Sequence, residues 1–394
     1  MSHRRQASEL PEDAEYTCPA GIYLHTPFCR QKCRYCDFVS VTDVNLLDDY
    51  VDALCGEIEL RQQHQIGVDS IYLGGGTPTL LATDQVNQTL TAVRSAFQIH
   101  PDVEITIEVN PGTVTLEALK AYVAMGINRI SIGVQSFQPQ LLDLLGRSHD
   151  EKTATDALEL SGAAGFSQIG IDLIFGIPGQ TSDQFIDDLQ TAIKFSPHHL
   201  SCYSLTIASN TPLQRLCRQQ AITPADDSQV ARFFMETDAF LTSHGYQHYE
   251  ISNFAKPDCR SRHNRKYWSG IPYWGFGVAA HSFQPPVRSW NVSSIGRYIA
   301  TLDRNRLPIL DHETLSLKEQ AVETIMLGLR TDHGVELAFL DGLQRGDNGN
   351  AKARLIQQWV NEGQARIHKG GLVLTVSGML VADALTKELL ELLM

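Results

Sequence analysis

The sequence predicts an α/β protein with a parallel sheet, followed by a small C-terminal domain of helices with one hairpin. Segments with strand and helix patterns alternate from residue 21 to about residue 207, as expected for strands joined by crossover helices. Several of these strands carry polar residues on one face only. Beyond residue 311, helix patterns surround a single hairpin-like segment.

Six predicted strands cover Gly21–His25, Ser70–Gly75, Glu104–Asn110, Asn128–Gln135, Gln168–Phe175 and His199–Ile207. The predicted helices between them are Leu46–Gln63, Asp84–Phe97, Leu116–Met125, Glu151–Ala164 and Ser182–Phe195. Six such units can close into a barrel or form part of one. Further along, we predict a helix at Ser228–His244, one strand at His248–Ala255, helices at Leu317–Leu329, Arg354–Asn361 and Ala382–Leu392, and a hairpin at Ala365–Leu374.

Three of the predicted strands place a polar side chain opposite an apolar face, at Glu108, Gln135 and Asp172. A parallel strand that is covered on both faces is nearly continuous in apolar residues. We therefore predict that one face packs on helices and the other faces a polar interior. The carboxyl ends of such strands are where barrel enzymes bind their ligands.

Three cysteines, Cys29, Cys33 and Cys36, lie within eight residues after the first predicted strand. Three thiolates in one loop indicate a site for a soft metal. Structural zinc usually takes four protein ligands, and no second cysteine pair with that spacing follows. An iron–sulfur cluster of four irons would leave one iron open to a ligand that is not protein. A zinc site and incidental thiols remain the alternatives.

A glycine-rich turn, Gly74-Gly75-Gly76-Thr77-Pro78-Thr79, follows the second predicted strand. Consecutive glycines allow a ligand to approach the backbone closely. The turn lacks the Gly-Lys-Ser/Thr sequence of a phosphate-binding P-loop. Alone, it predicts a tight turn at least as well as a binding site.

The spacing of the three cysteines resembles the signature of the radical S-adenosylmethionine (SAM) superfamily. The resemblance implies a partial (β/α)6 barrel, a [4Fe-4S] cluster on Cys29, Cys33 and Cys36, and SAM bound to the open iron. It also implies that an electron from the cluster cleaves SAM to a 5′-deoxyadenosyl radical.

The segments at 108–112, 145–149 and 172–181 resemble the subfamily of the oxygen-independent coproporphyrinogen III oxidase (HemN) and its paralogues. This resemblance extends from about residue 19 to residue 394. It implies a role connected with porphyrins, and no catalytic residue follows from it. It implies SAM contacts at Tyr23, Tyr35, Gly75, Gly76, Thr77, Glu108, Gln135, Arg147, Asp172 and Ser204.

The segment His263-Asn264-Arg265-Lys266-Tyr267-Trp268 resembles the HNRxYW signature of the heme chaperones of this subfamily, the HemW group. The resemblance makes His263, Asn264, Tyr267 and Trp268 candidates for binding heme as cargo. Imidazole is a common axial ligand of heme iron. The alternative is a turn with a capped histidine and two core aromatics. His281 and Cys259 are weaker ligand candidates.

Three functions remain open at this point: a heme chaperone, an oxygen-independent coproporphyrinogen dehydrogenase, and a radical SAM enzyme that acts on tRNA or another macromolecule. The acidic balance of the chain disfavours the third. The dehydrogenases of the subfamily carry a fourth cysteine two residues after the third, where this chain has Phe38. Only about twenty residues precede the first predicted strand. Both departures favour the chaperone, whose cargo would pass to respiratory hemoproteins. The cluster and SAM are implied in each case.

Composition excludes some classes of partner. The net charge of −13 argues against a nucleic-acid backbone as the main partner, because phosphate binding needs clustered Lys and Arg. No apolar run approaches the roughly 18 residues of a membrane span, and the N-terminus has no apolar core like that of a secretory signal. We therefore expect a cytoplasmic protein.

Four regions are predicted along the chain: an N-terminal tail at 1–20, the partial barrel at 21–245, a barrel extension with the HNRxYW-like motif at 246–310, and the HemN-like C-terminal domain at 311–394. The last region has helices and a wing, as many DNA-binding domains do. Because the chain is acidic, we expect it to act as a lid or docking module.

Overall fold

A sheet of twelve strands organises the computed structural model, which describes residues 19–343 and 349–393. Its strands are β1 Ala20–Thr26, β2 Gln63–Gly75, β3 Phe97–Val109, β4 Arg129–Gln135, β5 Gln168–Phe175, β6 His199–Ser204, β7 Gln247–Glu250, β8 Asn253–Ala255, β9 Tyr273–Phe276, β10 His281–Gln284, β11 Val287–Asn291 and β12 Ile309–Thr314. Most of the predicted tail, residues 1–18, lies outside the described residues.

Strands β1 to β6 lie side by side in chain order, and all five pairings are parallel. Strand β1 pairs on its other edge with β9, and β6 pairs with β8. Because β1 and β6 each pair with another strand, the six units form an open barrel. This arrangement confirms the predicted parallel sheet.

Helices connect these strands at α1 Leu47–Leu60, α2 Thr83–Ala96, α3 Leu116–Ala124, α4 Pro139–Leu145, α5 Glu151–Ala164, α6 Ser182–Lys194 and α7 Pro212–Arg218. Several of these helices begin after a polar N-cap residue. Thr181 accepts a hydrogen bond from the Gln184 amide at the start of α6, and Asp150 does the same for Thr153 at the start of α5. Such caps satisfy amides that have no partner within the helix.

The predicted division of the strand faces is confirmed in β3. Ile105 and Ile107 are buried in the main core between sheet and helices, whereas Glu104 and Glu108 lie on the opposite face. Burial of the apolar face holds the helices against the outside of the barrel. The polar face is thereby left to line the interior.

The prediction of one strand over His248–Ala255 is wrong. The structure has two short antiparallel strands there, β7 and β8, because the chain reverses after Glu250. The Ser252 amide donates a hydrogen bond to the Glu250 carboxylate at this reversal. Helices α4 and α7 were not predicted, and β2 and β3 each begin seven residues earlier than predicted, at Gln63 and at Phe97.

The rest of the chain adds helices α8 Asp227–Ser243, α9 Arg262–Ser269, α10 Ile295–Leu302, α11 Leu317–Gly328, α12 Leu337–Gly342, α13 Gly349–Asn361, α14 Val376–Met379 and α15 Ala382–Leu393. A second sheet contains β13 Val335–Glu336, β14 Ala365–His368 and β15 Gly371–Leu374, with β15 in the middle. The predicted C-terminal helices and hairpin are thus confirmed. None of the described helices combines the length and the apolar character that a bilayer span requires.

Candidate functional site

The loop between β1 and α1 carries the three cysteines and is fixed by backbone hydrogen bonds. The Cys29 amide donates to the Val41 carbonyl at 2.9 Å, which closes the loop on itself. The Arg34 amide donates to Leu145 at 2.9 Å, and the Arg34 carbonyl accepts from Leu213 at 2.9 Å. The loop is therefore attached to α4 and α7, which follow different strands.

The thiols of Cys29, Cys33 and Cys36 are free and half-buried, and all three line one cavity of about 490 Å³. We call this the thiol cavity. Burial raises the pKa of the Cys36 thiol, and the neighbouring Cys33 adds to the rise. No three His, Cys, Asp or Glu side chains within residues 19–343 and 349–393 are grouped so as to hold a single metal ion. Thiols spread around one cavity fit a cluster of several irons, in which each thiolate binds a different iron.

The glycine-rich turn forms a wall of the thiol cavity. Gly75 has a φ of +109°, which residues with a side chain rarely adopt, and its amide donates to the Glu108 carboxylate at 3.0 Å. A Cβ on Gly76 would lie 2.6 Å from the Phe28 carbonyl oxygen. Glycine is needed here because the turn packs directly on the backbone of the cysteine loop.

Two carboxylates project into the thiol cavity from β3 and β5. Glu108 accepts hydrogen bonds from the Tyr72 hydroxyl at 2.8 Å and from Gly75, and Asp172 accepts from the Ser131 hydroxyl at 3.0 Å. Burial raises the pKa of Glu108 to about 7, and the charge of Asp172 adds to the rise. Burial also raises the pKa of Asp172. Both groups are suited to accept hydrogen bonds from a polar or cationic ligand.

Arg147 supplies a buried positive charge at the cysteine end of the same cavity. Its guanidinium donates to Asn110 Oδ1 and to the Gly133 carbonyl, each at 2.7 Å, and lies 3.4 Å from the Cys33 sulfur. Its Nε is buried without a hydrogen-bond partner. A buried cation with an unsatisfied donor fits an anionic group, such as a carboxylate or a cluster with negative charge.

Nine of the ten predicted SAM contacts line the thiol cavity: Tyr35, Gly75, Gly76, Thr77, Glu108, Gln135, Arg147, Asp172 and Ser204. Gln135 has a φ of +69° at the end of β4, a strained backbone of the kind that concentrates at binding sites. Tyr23 is the tenth predicted contact. It lines a neighbouring cavity instead, where its hydroxyl is 3.0 Å from His25 Nδ1.

The neighbouring cavity has a volume of about 700 Å³ and is lined mainly by aromatic and histidine side chains. We call it the aromatic cavity. Its lining includes Tyr23, His25, Phe38, Tyr72, Tyr203, His263, Tyr267, Tyr273 and His281. Six residues line both cavities and form what we call the shared wall: Asp37, Phe38, Tyr72, Gly75, Glu108 and Tyr203.

The segment 263–268 lies on helix α9 and not in a turn. His263, Asn264 and Tyr267 line the aromatic cavity, whereas Trp268 lines a separate cavity of about 470 Å³ beside α11. The His263 ring is buried, with Nδ1 3.1 Å from the Ser70 hydroxyl and Nε2 2.8 Å from the Tyr267 hydroxyl. Burial lowers the pKa of His263 to about 3. The structure therefore brings three of the four predicted heme contacts together and separates the fourth.

Sequence reasoning missed several residues that line these cavities, among them Tyr72, Asn110 and Tyr203. The sequence did contain a signal for Tyr72. Side chains alternate between the two faces of a strand, which places Tyr72 on the same interior face of β2 as Ser70 and Gly74. Tyr203 is 40% exposed although it lies at the end of a buried strand. Its exposure depends on how far β6 extends, which the residue pattern did not show.

Two family models match parts of the chain. Residues 23–192 match the Radical SAM superfamily, and residues 315–381 match the HemN C-terminal domain. The chain is also 34% identical over 397 residues to the heme chaperone HemW of Mycobacterium tuberculosis (H37Rv), covering 99% of this chain and 100% of that protein. The chain belongs to the HemW family of radical SAM proteins.

Other HemW relatives agree with this assignment. HemW of Synechocystis is 35% identical over 360 residues, covering 89% of this chain and 86% of the relative. HemW of Escherichia coli is 39% identical over 267 residues, covering 67% and 70%. The coproporphyrinogen III oxidase HemN of E. coli, a radical SAM enzyme, superposes with a TM-score of 0.79 at 25% identity, covering 94% of this chain and 90% of that one. These likenesses confirm the predicted fold class and family.

Proposed function

We propose that this protein is a heme chaperone, which binds a [4Fe-4S] cluster and SAM in the thiol cavity and carries heme in the aromatic cavity. The observation that carries the proposal is the pairing of the two cavities across the shared wall. One has thiols, carboxylates and a buried guanidinium, and the other has aromatic rings. The cluster and SAM would therefore bind among thiols and charged groups, and the flat porphyrin would bind among aromatic rings.

In the thiol cavity, Cys29, Cys33 and Cys36 would hold the cluster. When bound, such a cluster supplies an electron and an open iron position for SAM. Arg147 lies at the cysteine end, with Nη1 3.4 Å from the Cys33 sulfur, and would receive the SAM carboxylate. Glu108 on β3 and Asp172 on β5 both line this cavity and would accept hydrogen bonds from the SAM amino group or ribose hydroxyls.

In the aromatic cavity, the rings of Tyr203, Phe38 and Tyr267 would contact the porphyrin. Phe38 is 58% exposed and lines both cavities, so its ring is available to a ligand in either of them. Asn264, which lies on α9 with Tyr267, lines the same cavity and would also contact heme. The chaperone would deliver its heme to respiratory hemoproteins from the cytoplasm.

The test is a titration of heme into protein reconstituted anaerobically with iron and sulfide, with and without SAM. A Soret band that saturates at one heme per chain is the expected result. Transfer is then measured by mixing the heme-loaded protein with an apo-hemoprotein and following the absorbance of the acceptor. A chain that shows no saturable Soret band would contradict the proposal.

A second candidate is coproporphyrinogen dehydrogenase, because the fold is similar to that of E. coli HemN over 94% of the chain. The exposed Phe38, at the position of the fourth cysteine in the resembling enzymes, favours the chaperone. Reconstituted protein would be incubated with coproporphyrinogen III and SAM while protoporphyrinogen IX is assayed after oxidation to the fluorescent porphyrin. Multiple turnovers would establish the enzyme, and none are expected.

A further inference from the structure

The aromatic cavity has three histidines in its lining, and only one of them presents a free imidazole. His25 is 4% exposed, with Nδ1 3.0 Å from the Tyr23 hydroxyl and Nε2 3.0 Å from the Val39 carbonyl. His263 is 1% exposed and also uses both ring nitrogens. Neither ring has a nitrogen that is available to a ligand without breaking a hydrogen bond.

His281 differs from both. It is exposed at the edge of the cavity, and its imidazole has no hydrogen-bond partner among the described residues. Burial of part of the ring lowers the pKa of His281, and Arg288 lowers it further while Glu313 opposes the change. In its neutral form, the imidazole has a lone pair that can bind a metal, and no hydrogen bond to a described residue occupies it.

Contacts with the neighbouring strands β9 and β11 fix the position of His281. It begins β10 and pairs with Trp290 on β11, and the two rings are stacked with centroids 5.7 Å apart at 27°. A Cβ on Gly275 would lie 2.1 Å from the His281 carbonyl oxygen. The backbone of β10 is thus held directly against β9, and the ring rests on a tryptophan.

We propose that His281, and not His263, supplies the imidazole that binds the heme iron in the aromatic cavity. This inference rests on the proposed chaperone function. Tyr267, Tyr273 and Phe38 line the same cavity as His281 and would contact the porphyrin. His263 would instead hold Tyr267 in place through its 2.8 Å hydrogen bond to the hydroxyl.

The experiment titrates ferric heme into the full-length, cluster-reconstituted protein and three variants, His281→Ala, His263→Gln and His312→Ala. His312 is an exposed histidine on β12, opposite Ser289, and provides the matched control. We expect His281→Ala to shift the Soret band and to weaken binding by about tenfold or more, since even outer-shell partners of a metal ligand cost that much. His312→Ala should keep the wild-type spectrum and affinity. His263→Gln loses the hydrogen bond to Tyr267, so it should weaken heme binding without moving the Soret band.

Addition of imidazole to His281→Ala should restore the wild-type Soret position, a result that a merely structural role would not produce. His281→Met is a second variant, in which a thioether should give a different spectrum. The inference is overturned if His281→Ala titrates like wild type while wild type binds heme, and in that case the chaperone function stands. If wild type itself binds no heme, both proposals fail. Iron and sulfide contents reveal whether each variant is folded.

Discussion

The thiol cavity and the aromatic cavity differ in how their side chains are held. In the thiol cavity, Arg147, Glu108 and Asp172 are charged or titratable, and each is fixed by hydrogen bonds. The aromatic cavity has rings stacked on one another, such as Tyr72 on His263 with centroids 5.2 Å apart. The thiol cavity is therefore suited to a charged ligand, and the aromatic cavity is suited to a ligand with a large flat surface. Substitutions should therefore separate the two functions.

The largest expected effect is at the cysteines. Cys33→Ala should abolish cluster binding, because two remaining thiolates cannot hold a cluster that needs three. The measurement is iron and labile sulfide per chain after anaerobic reconstitution. Cys217→Ala is the matched control, because Cys217 is a free, half-buried thiol on α7. Full iron content in Cys33→Ala would refute the assignment of this loop.

Glu108→Gln should separate ligand binding from stability. The folded-state pKa of Glu108 is raised from 4.5 to about 7, so the unfolding free energy that this group contributes falls as pH rises from about 4.5 to about 7. Glu108→Gln should therefore remove about 1–2 kcal/mol of the stability that the wild type loses between pH 5 and pH 8, while it weakens SAM binding. Urea unfolding at pH 5 and pH 8 measures the first effect, and calorimetry measures the second.

Glu250→Gln is the control for that prediction. Burial raises the pKa of Glu250 to about 7 as well, but Glu250 lines the cavity beside α11 and neither of the other two. Its variant should show the same change in pH dependence with unchanged SAM affinity. If both variants lose SAM binding equally, the thiol cavity is not the SAM site.

Phe38→Ala tests the shared wall with a moderate expected effect. Loss of one ring contact is worth about 0.5–1.5 kcal/mol, so heme should bind a few times more weakly. SAM affinity should change less, because Phe38 offers SAM no charged contact. Soret titration and calorimetry on the same preparation give both values. A larger loss for SAM than for heme would reverse the assignment of the cavities.

The smallest effect is expected at Trp268. Although it belongs to the motif on α9, it lines the cavity beside α11, so Trp268→Phe should leave the heme titration unchanged within about twofold, or about 0.4 kcal/mol. Tyr267→Ala, one residue away on the aromatic cavity, is the sensitive comparison. Equal losses in the two variants would place heme on the other face of the helix.

The thiol cavity was largely predictable from the sequence, whereas the motif predicted only His263, Asn264 and Tyr267 of the aromatic cavity. Spacing identified Cys29, Cys33 and Cys36, and the two-residue period of strands identified Glu108 and Asp172. The aromatic cavity brings together Tyr23, Tyr203 and His281 from three separate strands and adds helix α9. No local period records such an arrangement, because it depends on how β9 pairs with β1.

Tyr23 and His263 show what a sequence motif cannot predict. Each was assigned from a motif, yet nothing in a motif states which nitrogen or hydroxyl is already occupied by a neighbour. His263 has both nitrogens engaged by residues on β2 and on its own helix. Only the folded structure shows that neither nitrogen of the His263 imidazole is free.

The hydrogen bonds of the cysteine loop have a consequence for biosynthesis. Arg34 is joined to Leu213, and β1 depends on β9, which ends at Phe276. A ribosome that has made only the cysteines has therefore not yet made the segments that position them. We expect insertion of the proposed cluster to wait until most of the polypeptide has been released from the exit tunnel, because only then are the partners of the cysteine loop in place.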